Sequence, residues 1–327
     1  MILQRRVFLL MMLLLVAAVT GATANPDVRD GCRERCGDVI VPYPFGIGEQ
    51  RCAMNENFFL NCTSTDDGHH EQLWFGGDMP ARNISLLNGT VTVGILASFD
   101  CYENSSGRQS RHSQQSRQSR LFNSNISLGS GPYTFSDSRN MFTAVGCDTI
   151  SMATNKEATS GFGCLSLCTV NATMSKENSC LGSGCCHTAI PKGLKSLNIT
   201  LQSFRNHTDV FAFNPCSFAF LEDKDSLDLS DWPLSRTPTY LDKSNVVIEW
   251  VAQNETCEEA PANKSSYACG INTNCYYSDN GQGYRCACKK GFEGNPYLEQ
   301  GCQGKVTDAL SSYVIEIKRL FILILRY

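Results

Sequence analysis

No stretch of this 327-residue sequence keeps a helical period for long. None offers the roughly 20 consecutive apolar residues that a membrane helix requires. The longest apolar run, residues 7–19, has Arg5 and Arg6 before it and "TGATA" after it. With Ala22 and Ala24 as the small residues of a cleavage site, residues 1–24 read as a secretory leader. Near the other end only "LFILIL" is continuous, six residues preceded by Glu316, Lys318 and Arg319. An atypical apolar tail at 304–327 is therefore expected neither to span a bilayer nor to signal a lipid anchor. Positive charge is also short: 28 Lys and Arg against 32 Asp and Glu leave a net charge of −4, which argues against a nucleic-acid partner.

Catalytic signatures are missing too. No phosphate-cradling glycine loop, catalytic-loop aspartate or Asp-Phe-Gly element occurs; "GIGEQR" lacks a third glycine and lies between two cysteines. His69 and His70 sit in the polar stretch "TDDGHHEQ", with no spacing for a metal site or a triad. A thiol nucleophile or a zinc site at Cys185, Cys186 and His187 would need unpaired cysteines, and the 18 cysteines form an even set. The expectation is a non-catalytic chain with no cofactor.

What is abundant is cysteine. In an exported chain a dense, even set reads as disulfides. Sequons at Asn83, Asn88, Asn104, Asn125, Asn171, Asn198, Asn206, Asn254 and Asn263 point the same way, to a secreted glycoprotein. The cysteines divide the chain into regions: 30–102, 126–221 and 257–303. Between the first two lies a flexible Arg/Ser/Gln-rich loop at 103–125, carrying "RQSRHSQQSRQSR". Residues 222–256 read as linker and strand. "ISLLNGTVTVGILASF" places Asn88-Gly89 between two β-prone runs, a hairpin signal, and "LNITLQSF" and "VVIEWV" read as further strands. The fold class is mostly β, in small disulfide-rich modules. The 46 residues from Cys257 to Cys302 are too few to bury a sufficient core, so staples must stabilise them.

One stretch, "CGDVIVPYPFGIGEQRC", permits two readings. Pro42 and Pro44 stiffen the backbone, so Tyr43 and Phe45 could project as rings on which a pyranose stacks, or could fill a small core beneath a bridge. From residue 31 to residue 101 only Arg33, Arg35, Arg51 and Arg82 are basic, against nine acids. An acidic ligand would meet repulsion unless the arginines beside the cysteines, Arg33, Arg35 and Arg51, act as a local cluster.

The order of motifs resembles a plant family. "GCRERCGDVIVPYPFGIGEQRC", "FFLNC" and "NISLLNGTVTV" look like the galacturonan-binding part of wall-associated receptor kinases. "GCLSLC", "CLGSGCCHTAIPKGL" and "CSFAF" resemble the cysteine-rich region that follows it there. "CACKKGFEGNPYLEQGC" resembles an epidermal-growth-factor-like module. That resemblance implies the pairs Cys257–Cys275, Cys269–Cys286 and Cys288–Cys302, where spacing alone leaves 15 connectivities open. Calcium binding by this module is disfavoured: "QNET" lacks the aspartates, and Asp279 supplies only half of the pattern.

The family likeness implies binding of pectin or oligogalacturonides in the cell wall. The residues themselves suggest how: Arg33, Arg35 and Arg51 on carboxylates, and Tyr43 and Phe45 on rings. The net negative charge and many sequons favour a rival role, contact with other extracellular proteins through the last module. The likeness ends near Gln303, where such receptors continue to a membrane helix and a kinase domain. The chain is thus expected to lack the kinase, as a soluble decoy or as a truncated receptor serine/threonine kinase. Membrane attachment is expected only if the tail is truncated or misread.

Overall fold

A computed structural model describes residues 27–64, 70–103, 118–168, 180, 182–205, 207–229, 233–238, 243–263, 266–279, 281 and 283–304. Residues 1–24, read as a leader, the sequons Asn104, Asn171 and Asn206, most of the Arg/Ser/Gln-rich loop and the tail from 305 onward lie outside them. Among the described residues there is no α-helix, only strands and three short 3-10 turns. The sheets are antiparallel throughout.

The largest sheet has six strands, in the order Tyr133–Phe135, Lys243–Trp250, Thr90–Leu96, Met79–Ser85, Glu71–Phe75 and Asn61–Ser64. Its hairpin closes at the expected place: Ser85 pairs with Thr90, and Gly89 takes the left-handed backbone (φ 61°) that a residue without Cβ tolerates. Residues 222–256, read as linker and strand, contain a strand of this sheet. Their strand Lys243–Trp250 lies second in this sheet, because Val246, Val247, Ile248 and Trp250 are all buried and need cover.

A five-stranded sheet runs Cys185–Ala189, Asn140–Val145, Cys216–Asp223, Ser98–Glu103 and Gln118–Phe122. The last of these corrects the flexible reading of 103–125 at its C-terminal end. Phe122 stacks on Phe99, ring centroids 5.6 Å apart, and this apolar end anchors an edge strand. A four-stranded sheet orders Gly161–Ser166, Thr149–Thr154, Ser196–Ser203 and Asn125–Ser127.

Nine disulfides join the described cysteines and leave none free. In the first region Cys32 pairs with Cys52 and Cys36 with Cys62. Cys101–Cys216 ties two neighbouring strands of the five-stranded sheet. Adjacent Cys185 and Cys186 diverge, to Cys180 and to Cys164. The last region holds Cys257–Cys275, Cys269–Cys286 and Cys288–Cys302.

This last module does not stand apart. Its Tyr284, Tyr297 and Leu298 belong to the same apolar cluster as Phe45, Phe58 and Trp250. Trp250 and Tyr297 meet at 5.3 Å, and Asn295 donates to the carbonyls of Asp27 (2.9 Å) and Tyr43 (2.6 Å). Docking onto a larger core supplies the burial that so short a segment cannot reach alone.

Candidate functional site

The prolines and aromatics of "VPYPFGI" form a corner inside the molecule. Residues 41–47 are all buried. Phe45 is 0 % exposed and meets Phe58 and Trp250 edge-on at 5.2 and 5.4 Å. Gly46 is required because a Cβ there would lie 2.4 Å from the Cys52 carbonyl carbon. Its N–H donates to Phe58 O at 3.1 Å, and its own carbonyl accepts from Leu60 N at 2.9 Å. Both rings expected to stack on a sugar are buried, Tyr43 at 5 % and Phe45 at 0 % exposure, so Phe45 has no face to offer and apolar burial outweighs display.

Tyr43 has a partner that sequence reasoning missed. The Arg29 guanidinium lies 4.4 Å from the Tyr43 ring centroid, donates to the Tyr43 hydroxyl at 2.7 Å and to Arg51 O at 2.8 Å. Burial pushes the Tyr43 hydroxyl pKa up, and the nearby Arg29 charge offsets this in part. Arg29 and Tyr43 line a cleft of about 620 Å³ together with Tyr267, Ile271 and Leu298 of the last module. No local motif marks Arg29; only the fold brings it to that cleft.

The three predicted arginines are on the surface. The Cys32–Cys52 bridge holds its sequence neighbours Arg33 and Arg51 on one stapled lobe, and Arg35 precedes the half-cystine Cys36. Arg33 pairs with Glu71, whose carboxyl is held below its ordinary value by that bond and by the Gly37 N–H. Arg51 pairs with Glu49 at 2.7 Å, which lowers the Glu49 carboxyl pKa in the same way. Among the described residues Arg35 reaches only the Asp38 carbonyl, at 3.5 Å. Exposed ion pairs of this kind are screened by solvent and salt and hold little net energy, so an incoming carboxylate could displace Glu71 or Glu49 at small cost.

The described sequons Asn83, Asn88, Asn125, Asn254 and Asn263 are exposed, and Asn198 is half-buried. Asn125 and Asn198 are direct cross-strand partners. Cys36, Cys62 and Glu71 lie close together, but the two sulfurs are bonded to each other and offer no thiolate to a metal. Asp279, half of a calcium pattern, is exposed.

Comparison with known proteins bears on the same lobe. Residues 32–94 match the family described as wall-associated receptor kinase galacturonan-binding. The chain is similar to wall-associated receptor kinase 2 of Arabidopsis thaliana, 36 % identical over 290 residues, covering 87 % of this chain and 36 % of that protein. Wall-associated receptor kinase 5 is 33 % identical over 282 residues, covering 84 % of this chain and 34 % of that protein. Wall-associated receptor kinase-like 6 is 28 % identical over 293 residues, covering 83 % and 44 %. Both are also from Arabidopsis thaliana. The chain thus spans about a third of the length of the first two relatives. No solved structure matches it.

Proposed function

This chain is a relative of the wall-associated receptor kinases over most of its length, and we propose that it binds pectin in the plant cell wall as a non-catalytic, receptor-like extracellular region. The observation that carries the reading is the coincidence of the galacturonan-binding family match, residues 32–94, with the lobe on which Arg33, Arg35 and Arg51 are exposed. Guanidinium forks suit carboxylates, so unesterified galacturonan is the preferred form of the polymer. With Tyr43 and Phe45 in the core, recognition here rests on charge and hydrogen bonding rather than on ring stacking.

The test is a titration of the secreted chain with oligogalacturonides across salt concentrations. Binding should weaken as salt rises and with methyl esterification of the sugar. Replacing Arg33, Arg35 and Arg51 together by alanine should weaken it about tenfold, an amount equivalent to about 1.4 kcal/mol. Unchanged affinity in that triple variant would remove the arginine site, and absence of any binding by the unaltered chain would remove the function.

A further inference from the structure

The chain has no lysine before Lys156, and then four between Lys156 and Lys195. Three of these, Lys156, Lys192 and Lys195, line one cleft of about 560 Å³ in the middle region. Sheet register explains the convergence. Thr149–Thr154 pairs with Ser196–Ser203, Thr154 opposite Asn198, so the chain leaving the first strand meets the chain entering the second. There the Lys156 N–H donates to Ser196 Oγ at 2.9 Å. Asn155 holds its turn closed, its Oδ1 accepting from the N–H groups of Thr159 and Ser160 at 2.9 and 3.0 Å. Gly193, at φ 70°, turns the segment between Lys192 and Lys195.

In the lining of this cleft three lysines outnumber one acid, Glu157. Lys192 donates to the Asp279 carbonyl (3.3 Å) and Lys195 to the Gly131 carbonyl (2.7 Å). Among the described residues no carboxylate forms an ion pair with any of the three, although Glu157 is also in the lining. That differs from Arg33 and Arg51, each already matched by an acid. A concave wall with one dominant sign of charge focuses its field outward on an anion. A second cleft of about 310 Å³ shares Gly193 and Lys195 with the first and extends the lining to Val251 and Asn254. The two adjoining clefts give more room than a compact anion needs, which suits a chain molecule. Ser127 and Ser130 in the wall of the first can bond to hydroxyls.

We propose that the trough bearing Lys156, Lys192 and Lys195 is a second carboxylate-recognition site, which takes an unesterified uronate oligosaccharide. The proposal rests on the pectin-binding reading but shares no residue with the arginine lobe. Its test is a titration of the full secreted chain with de-esterified oligogalacturonide, with poly-glutamate as a control anion. Against the unaltered chain, Lys156→Gln/Lys192→Gln/Lys195→Gln should bind at least about tenfold more weakly, whereas Lys156→Arg/Lys192→Arg/Lys195→Arg, which keeps the charge, should retain binding. Lys156→Glu, at an exposed side chain, keeps the test valid if the triple variant is not secreted; it should weaken binding several-fold. Unchanged affinity in the glutamine and glutamate variants, with loss only in the Arg33/Arg35/Arg51 variant, would overturn this site and leave the function standing. Equal binding of poly-glutamate would overturn sugar recognition here. No binding by the unaltered chain would overturn the function itself.

Discussion

Arg285 of the last module and Glu249 of the six-stranded sheet form a buried ion pair, Nη2 to Oε2 3.1 Å, with side chains only 8 % and 11 % exposed. The guanidinium is nearly saturated. Nε donates to Trp250 O at 2.6 Å, Nη1 to Asn88 O at 3.3 Å and Nη2 also to Ser278 Oγ at 3.2 Å. Glu249 in turn accepts from Ser136 Oγ. One side chain thereby joins the hairpin turn, the sheet and the six-cysteine module.

Removing Arg285 leaves Glu249 buried without its counter-charge. Arg285→Ala is expected to destabilise the fold by about 3–5 kcal/mol. Denaturant unfolding with disulfides intact measures it. Glu249→Gln in the Arg285→Ala background should recover part of the loss, because it removes the orphaned charge; no recovery would mean the pair is not coupled.

Gly89 serves the same joint. A Cβ at this position would lie 2.5 Å from Arg285 Nε, and its φ of 61° disfavours a side chain in any case. Gly89→Ala should therefore destabilise by about 1–3 kcal/mol. Gly129 is also at positive φ, but a Cβ added there would meet nothing within 4 Å, so its replacement by alanine should show only the smaller backbone penalty. Equal melting shifts for the two variants would contradict the steric account.

Phe45 distinguishes core from ligand surface. Phe45→Ala empties a fully buried ring site and should lower stability by about 3–5 kcal/mol, while Phe45→Leu should lower it less. A Phe45→Ala protein with unaltered melting and weakened oligogalacturonide binding would put the ring back at the ligand.

The covalent frame makes its own prediction. The Cys101–Cys216 bridge closes 115 residues, so replacing both cysteines by serine should lower stability by about 4–5 kcal/mol in the chain-entropy account. The Cys180–Cys185 bridge, which closes five, should matter less by the same measure. A calorimetric ranking in the opposite order would reject loop closure as the main contribution.

Glu222 governs one part of the pH response. Burial holds its carboxyl above the ordinary value of 4.5, offset in part by bonds from Asn245 N at 3.0 and 3.1 Å and from Ser226 Oγ. A folded-state pKa that is raised means the native protein binds more protons than the unfolded chain in the interval between the two values. The contribution is full below 4.5 and is lost as pH rises through the folded value. Glu222→Gln should flatten that decline in denaturant midpoints taken from about pH 4 to about pH 7; an identical slope in both proteins would exclude Glu222 as its source.

Much of the β architecture was readable in particular residues. Asn88-Gly89 marked a turn because only a few residue types accept the left-handed backbone a hairpin demands, and 196–203 and 243–250 alternated or massed β-branched residues as strands do. The fate of "YPFGIG" was not readable, since a stiff aromatic loop and a stiff aromatic core corner use the same letters. The edge strand at Gln118–Phe122 was hidden by the polar run before it.

Cysteine number and turn residues are local chemistry, and local chemistry determined that this is a stapled, β-rich chain. Which face each ring and cation occupies is set by long-range pairing. The Lys243–Trp250 strand closes over Phe45 from some 200 residues away in the chain, a distance on the order of a whole domain. The 149–154 and 196–203 strands bring three dispersed lysines to one trough. Burial and field are sums over neighbours in space, so those assignments could only come from the folded molecule.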